Sequence, residues 1–320
     1  IEVVRGAQTV LYGDNAIARV VNIITRRVHE KRGVELSLLS GSEGTLDARV
    51  VWRETAGPLS SSLTGQYASD AGWRDRSAWW RRGASLTLTY QKSDRLRLSF
   101  DALTGTADYQ LPGFLTEEQM HTNPRQAGNP SDDVRTWNRQ VSIGAEGQIA
   151  PDQRWKAELS IGEKESQTNM DSYWAWSNVE LERIGFSPRY ILQRPIAGRE
   201  NKLIAGVDYE RSPVDSIRFD GRDRHTPTAF ATVVRETLGS YIHNEARLSD
   251  NLLLTLGYRF ETGSISAVDD EVVPGTQYSD SKHFSGSAAH AGLCYQWGRQ
   301  AKVYLTYGRV FRYPFTDEIA

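Results

Sequence analysis

Two clusters of arginine and aromatic residues carry the most chemistry in this sequence. "DAGWRDRSAWWRR" (Asp70–Arg82) holds Trp73, Arg74, Arg76, Trp79, Trp80, Arg81 and Arg82. "RFDGRDRHT" (Arg218–Thr226) brings Arg222, Arg224 and His225 together. A guanidinium presents a planar fork of donors to carboxylate, hydroxamate or phosphate oxygens, and an indole offers a stacking face. That combination suits an anionic metal chelate. "MDSYWAWSN" (Met170–Asn178) adds Tyr173, Trp174 and Trp176. The competing role for these residues is structural, because Trp and Arg also gather where a β-wall crosses a membrane surface.

Other polar groupings carry less. "SAVDDEVVPG" (Ser266–Gly275) sets Asp269, Asp270 and Glu271 side by side. Oxygen ligands suit calcium, but without an ordered glycine a solvated acidic loop is the plainer reading, and "NPSDD" (Asn129–Asp133) reads the same way. His121, His225, His283 and His290 fall in separate segments without metal-ligand spacing. No metal or other cofactor is expected. The chain lacks the G-x-S-x-G elbow, the P-loop and H-E-x-x-H. The expectation is therefore a binding protein, not an enzyme. The single cysteine, Cys294, cannot form an internal disulfide. A formal charge of −2 over 320 residues gives no reason to expect nucleic acid.

The elements that must position these residues repeat with a period of two. "RLRLSFDA" sets Leu96, Leu98, Phe100 and Ala102 against Arg95, Arg97, Ser99 and Asp101. "WKAELSIG" sets Trp155, Ala157, Leu159 and Ile161 against Lys156, Glu158 and Ser160, and "LLLTLGYRFE" repeats the pattern with Leu252, Leu254, Leu256, Tyr258 and Phe260. About thirteen such runs follow Gly33, each reading as a half-buried strand. No run of 18 apolar residues suggests a membrane-spanning helix.

Connector lengths sort by parity. Glu54–Pro58, Gln91–Arg95, Ala150–Arg154, Arg194–Asn201, Leu248–Asn251 and Trp297–Gln300 are short. The alternate connectors, apart from a brief first one, are long: Asp70–Ser77, Asp108–Arg135, Ser166–Asn178, Ser212–Thr232 and Ser264–His283. Short turns at one rim and long loops at the other belong to an outer-membrane barrel. A soluble sandwich has no reason to sort its loops in this way. The apolar set then faces lipid, and the charged set, including Asp208, Glu245 and Arg259, faces the lumen.

The opening stretch, "IEVVRGAQTVLYGDNAIARVVNIITRR", resembles the C-terminal end of the plug domain of TonB-dependent outer-membrane receptors. The pattern is carried by Glu2, Val3, Arg5, Gly6, Leu11, Tyr12, Gly13, Ala16, Val20, Asn22, Ile23, Ile24 and Thr25. It departs at Ala18-Arg19, where the family commonly has Gly-Gly, and at Ala7, where Pro is usual. "LPGFLTEEQMHTNPRQAGNP" (Leu111–Pro130) resembles a long extracellular loop of the family, and Gly292–Ile319 resembles its segment ending F-R-x-P-x-x-D-E.

The resemblance implies an all-β fold: a transmembrane antiparallel barrel of twenty-two strands around a plug, with about thirteen strands present. The expected division is 1–27 for the end of the plug, 28–33 for a linker and 34–320 for the barrel. The chain is then an internal fragment, expected as an open curved sheet with Ile1–Arg27 on its concave side. Plugs of the family are held to the wall by Arg–Glu clusters, which points to Arg5 with Glu245 and Glu261, and to Glu146 as a third carboxylate. The implied function is import of a scarce substrate, most simply a ferric siderophore or other iron chelate. It is driven by TonB with its ExbB/ExbD energising complex, in a monomer surrounded by outer-membrane lipid and lipopolysaccharide. A passive porin or adhesin, which needs no plug motif, and a soluble β-sheet binding protein are the alternatives.

Overall fold

The computed structural model describes residues 2–5, 9–13, 16, 19–22, 32–93, 95–271, 278–298 and 300–313. It opens with β1 (Glu2–Arg5), a single helical turn α1 (Thr9–Tyr12) and β2 (Arg19–Asn22). β1 and β2 pair antiparallel in a small sheet of their own. The wall follows as β3 (Gly33–Ser40), β4 (Leu46–Ala56), β5 (Leu59–Asp70), β6 (Trp79–Ser93) and β7 (Leu96–Gln110). After α2 (Glu117–Thr122) come β8 (Asp133–Ala150), β9 (Gln153–Met170), β10 (Ala175–Phe186) and β11 (Arg189–Gln193). The last strands are β12 (Asn201–Phe219), β13 (Pro227–Ser249), β14 (Leu252–Glu271), β15 (Tyr278–Trp297) and β16 (Ala301–Arg309).

Strands β3–β16 form one 14-stranded sheet, each antiparallel to the strands it pairs with. β10 and β11 share one place between β9 and β12, so fourteen strands fill thirteen positions, matching the alternating runs. The break between them falls at Ser187-Pro188, because proline has no N–H for the ladder. Ser187 N still donates to Glu158 O at 2.9 Å and Val207 N to Pro188 O at 3.0 Å, which carries the wall across the gap. β3 and β16 are the two edges; they do not pair with each other, and every residue in both is exposed.

Antiparallel order puts alternate connections at opposite rims, as the loop lengths predicted. The long loops are shorter than expected, however. The connection expected over Ser212–Thr232 reduces to 220–226, because β12 and β13 continue to Phe219 and from Pro227. β13 runs for 23 residues, where a membrane crossing needs about 9–11. Backbone pairing persists here past the apolar rows, where the outer residues of β13 are mixed (Glu236, Val234, Thr232 and Phe230), and sequence alternation cannot register that.

The change is visible row by row. Phe100, Ile143, Leu159 and Phe186 lie side by side across β7–β10, and the next row is Ala102, Val141, Ile161 and Ile184. Above it the same face carries Thr104, Arg139, Glu163 and Glu182, and then Thr106, Trp137, Glu165 and Glu180. The aliphatic rows suit hydrocarbon and the charged rows suit water, and the upper border of the aliphatic band lies between Ile161 and Glu163.

The opposite face is the inner one. α1 lies on it against β13, β14 and β15. Leu256, Tyr258 and Phe260 on β14 are exposed on the outer face, while Arg259 and Glu261, which alternate with them, are buried. Leu305 is likewise exposed. The buried residues thus lie along the inner wall, with the largest charged group beneath α1, and not in an apolar interior between two layers.

Candidate functional site

The inner strip is built around glycine and charge. Val10 of α1 is buried over Gly257, where a Cβ would stand 2.9 Å from Val10 Cγ1. Gly257 lies between His243 on β13 and His290 on β15. One turn on, Gly13 has φ +80°, a conformation that a side chain disfavours, and a Cβ there would sit 3.5 Å from Arg259 Nη2. Two glycines at the contact therefore let α1 approach the wall closely.

Arg259 is the centre of this contact. Its Nη1 donates to Asp208 Oδ2 at 2.6 Å and its Nε to Glu261 Oε2 at 2.7 Å, with Nη2 2.5 Å from the same oxygen. The guanidinium stands 5.6 Å from the Tyr241 ring centroid. Gly239, opposite Glu261, leaves room for it: a Cβ there would fall 2.3 Å from Nη2. Arg259 and Glu261 are 3% and 2% exposed, so each charge relies on the other. Tyr313 Oη donates to Glu261 O at 2.9 Å and ties the segment after β16 to the same strip.

The expected Arg5–Glu245–Glu261 cluster is only partly described. The side chains of Arg5 and Asn22, and all of Gly6, lie outside the described residues. Glu261 is engaged by Arg259. Glu245 lies 3.3 Å from His243 Nε2 and sits opposite Thr255, six positions along β13 from the place opposite Glu261. That separation is about 20 Å, too far for one arginine to bridge. Glu146 pairs with Arg97 at 3.2 Å.

At the rim that carries the long loops the arginines divide by role. Arg74 Nη1 donates to Gly113 O at 2.9 Å and Nη2 to Gln126 O at 3.0 Å, clamping the 111–132 loop. Trp73 is exposed and stacks with Arg125 at 5.7 Å. Arg125 itself donates to Trp73 O and to Glu43, each at 2.8 Å. Asp132, 1% exposed, accepts from Ser172 N at 3.0 Å and from Asn129 Nδ2 at 2.7 Å. Arg125 was not among the sequence candidates, and Asp132 figured only in the Asn129–Asp133 group read as a solvated loop, because loop-to-loop contacts leave no periodic signal.

Arg222 pairs with Asp133 and donates to Asp171 Oδ2 at 2.8 Å and to Ser131 O at 2.9 Å. Trp176 Nε1 donates to Asp171 Oδ1 at 2.6 Å. That bond holds the Asp171 carboxyl below its ordinary range, with help from Arg222 and against partial burial. Burial works to lower the Arg222 pKa, but the hydrogen bonds to Asp133 and Asp171 outweigh it and the net shift is upward. Arg224, shifted downward by burial and by neighbouring Arg222, donates to Asn178 Oδ1 at 2.8 Å and lies 5.8 Å from the Phe219 ring. His225 is exposed beside Asp223 at 3.7 Å. Tyr173 and Trp174 are exposed, and Trp174 meets Trp176 edge-on at 6.2 Å.

Register assigns these groups to faces. Asp133, Asn169 and Trp176 continue the outer row of Gln110, and Arg222 therefore binds on the outside of the wall. The aromatic run of β6 divides as well. Trp80 and Arg82, 5.5 Å apart, share the outer face with Leu86 and Leu88, whereas Trp79 and Arg81 point inward. Arg81 stacks on Trp79 at 5.7 Å, has Asp47 at 3.9 Å and keeps 54% of its side chain exposed. Its row neighbours Ala68 and Ala107 are small and buried. Arg76 (φ 60°) reaches Asp132 O at 3.4 Å. Asp269 is on β14, while the side chains of Asp270 and Glu271 lie outside the described residues. Among the described residues, no group of three or more His, Cys, Asp or Glu is arranged to hold a metal.

Solved structures share this fold. The unliganded ferric citrate transporter FecA matches with a TM-score of 0.83 and 18% identity, over 94% of this chain and 48% of that one. The ferric-catecholate import receptor Fiu of E. coli K12 matches at 0.80 and 13%, over 98% and 59%. P. aeruginosa FpvA, in complex with a ferric pyoverdine, matches at 0.81 and 16%, over 97% and 46%. The chain spans about half the length of these structures. The family model for the TonB dependent receptor-like β-barrel matches residues 37–320. With its antiparallel wall, charged inner strip and split rims, this chain belongs to the TonB-dependent receptor β-barrel family.

Proposed function

We propose that the chain is part of an importer in the Gram-negative outer membrane that takes up an anionic ferric chelate. Residues 1–27 serve as the end of a plug, 28–33 as a linker and 34–320 as barrel wall. The observation that carries this reading is the seat of α1 on the inner face, over Gly257 and beside the Asp208–Arg259–Glu261 trio. A segment seated inside the wall suits a gated lumen, and a passive pore has no need of one. TonB, with ExbB/ExbD, acts on the plug from the periplasm; no covalent bond of the cargo changes. The similar solved structures are named for ferric citrate, ferric catecholate and ferric pyoverdine, which supports an iron chelate as the class of cargo. Arg81 over Trp79, inward and exposed, is the candidate best placed to meet its negative charge.

The test is uptake of radioactive iron by cells producing the protein, offered as citrate, catecholate or hydroxamate chelates, with and without a protonophore. One chelate class should enter, and the protonophore should stop it. Uptake indifferent to the protonophore would make the protein a passive pore.

A further inference from the structure

The geometry points to a binding site for a divalent transition-metal ion on the inner wall beneath α1, held by the imidazoles of His243 and His290. The two residues share one inward row with Gly257 between them, on the successive strands β13, β14 and β15. Their backbones therefore stand two strand spacings apart, about 10 Å. His243 is 8% exposed. Its Nε2 donates to Glu245 Oε1 at 3.3 Å. An ionised carboxylate only accepts, so the proton of the neutral ring sits on Nε2 and Nδ1 keeps its lone pair. That Nδ1 is buried without a hydrogen-bond partner. It reaches over β14, 3.2 Å from where a Cβ on Gly257 would stand.

Metal-binding histidines commonly give their second ring N–H to a carboxylate, which fixes the tautomer and aims the free nitrogen. Glu245 does this for His243. Lys202 lies opposite Glu245 on β12, so the attraction of that carboxylate for any cation is offset locally and the nitrogen donors decide the choice of ion. His290 supplies the second nitrogen. Its ring leans along β15, with Nε2 3.3 Å from where a Cβ on Gly292 would be. Neither Gly257 nor Gly292 carries a side chain, so a change of rotamer swings the ring across β14 toward His243 Nδ1. Imidazole suits zinc, copper and nickel, whereas calcium and magnesium call for oxygen ligands. Water completes the shell. Val10 of α1 stands 2.9 Å from the same Cβ position on Gly257. A bound ion thus ties β13 to β15 at the foot of the α1 seat. Sequence spacing does not reveal the pair, because only register joins residues on two strands that a third separates.

The test uses the tag-free protein in mild detergent, stripped of metal by a chelator. Zinc binding is measured by equilibrium dialysis, and the ligand type by the absorption spectrum of cobalt(II). The wild type should hold one zinc ion per chain, and excess calcium or magnesium should not displace it. The cobalt spectrum should show nitrogen ligation without a thiolate band, and Cys294→Ser should leave it unchanged. His243→Gln and His290→Gln should each weaken zinc binding by about a hundredfold or more, and Glu245→Gln, which removes only the orienting charge, by about tenfold. His283→Gln, on the outer face of β15, and His225→Gln, in an exposed loop, should match the wild type. Heat-modifiable gel mobility confirms that each variant is folded. Absence of a stoichiometric zinc ion in the folded wild type would overturn the proposal, whatever the variants do. So would zinc binding that survives both histidine substitutions, or that is lost in Cys294→Ser. The readout is metal binding and not uptake, so its outcome stands apart from the choice of cargo.

Discussion

Arg259 is the residue on which the inner strip depends. Removing one partner of a buried ion pair strands the other charge, at a cost of about 3–5 kcal/mol. Arg259→Met should therefore lower the temperature at which the barrel loses its compact gel mobility, while Glu261→Gln, which keeps a hydrogen-bond acceptor for Arg259, should do less. Equal effects would mean that packing, not charge, holds the strip. Asp171 makes a second test. Its folded pKa lies below the ordinary 3.8. A depressed carboxylate contributes stability that is present in full above the unfolded pKa and is lost as pH falls through the folded value. The tie from Asp171 to Trp176 and Arg222 should thus persist at pH 5 and loosen only in stronger acid. Trypsin cleavage at Arg222 and Arg224 should stay slow down to that range in the wild type. In Asp171→Asn cleavage should be faster already at neutral pH and should not change further on mild acidification.

At the scale of elements, α1 is held by close approach at two glycines. Gly257→Leu places a branched side chain where Val10 now lies, and overpacking of this kind costs about 1–3 kcal/mol. The wall should survive, because Gly257 lies within continuous pairing to β13 and β15. The seat of α1 should not. Cells with Gly257→Leu should admit a bulky hydrophilic antibiotic that wild-type cells exclude, with unchanged barrel mobility on gels. Unchanged antibiotic resistance would mean that this contact does not close the lumen. The rim loops behave differently, because 71–78, 111–132 and 220–226 are joined by Arg74, Arg125 and Arg222 rather than by backbone ladders.

For the whole molecule, the proposed membrane placement predicts that the border between Ile161 and Glu163 sets the depth of insertion. Single cysteines at Ile161 and at Glu165, in a Cys294→Ser background and labelled with a fluorophore, should part company in vesicles. Bromine-bearing lipid should quench the first strongly, and aqueous iodide should quench the second. Quenching of both by the lipid would place the charged rows inside the membrane, where each charge costs about 2–4 kcal/mol at the midplane.

Much of this was legible in the sequence. Alternation revealed the strands and their lipid face, because each residue in a pleated strand points opposite to its neighbours whatever the strand pairs with. Loop parity revealed the two rims, since antiparallel neighbours must turn at alternate ends. The stretch around Tyr12 and Gly13 revealed the family. The arginines were another matter. Arg81 and Arg222 read alike as sequence, yet one stands inside the wall and the other binds on its outside. Arg259 and Asp208 were legible as lumen residues but not as partners of each other across the sheet. Those outcomes depend on register and on loops that meet across dozens of residues of intervening chain. Local pattern determines which way a side chain points from its own strand; only the closed set of long-range pairings decides what it meets there.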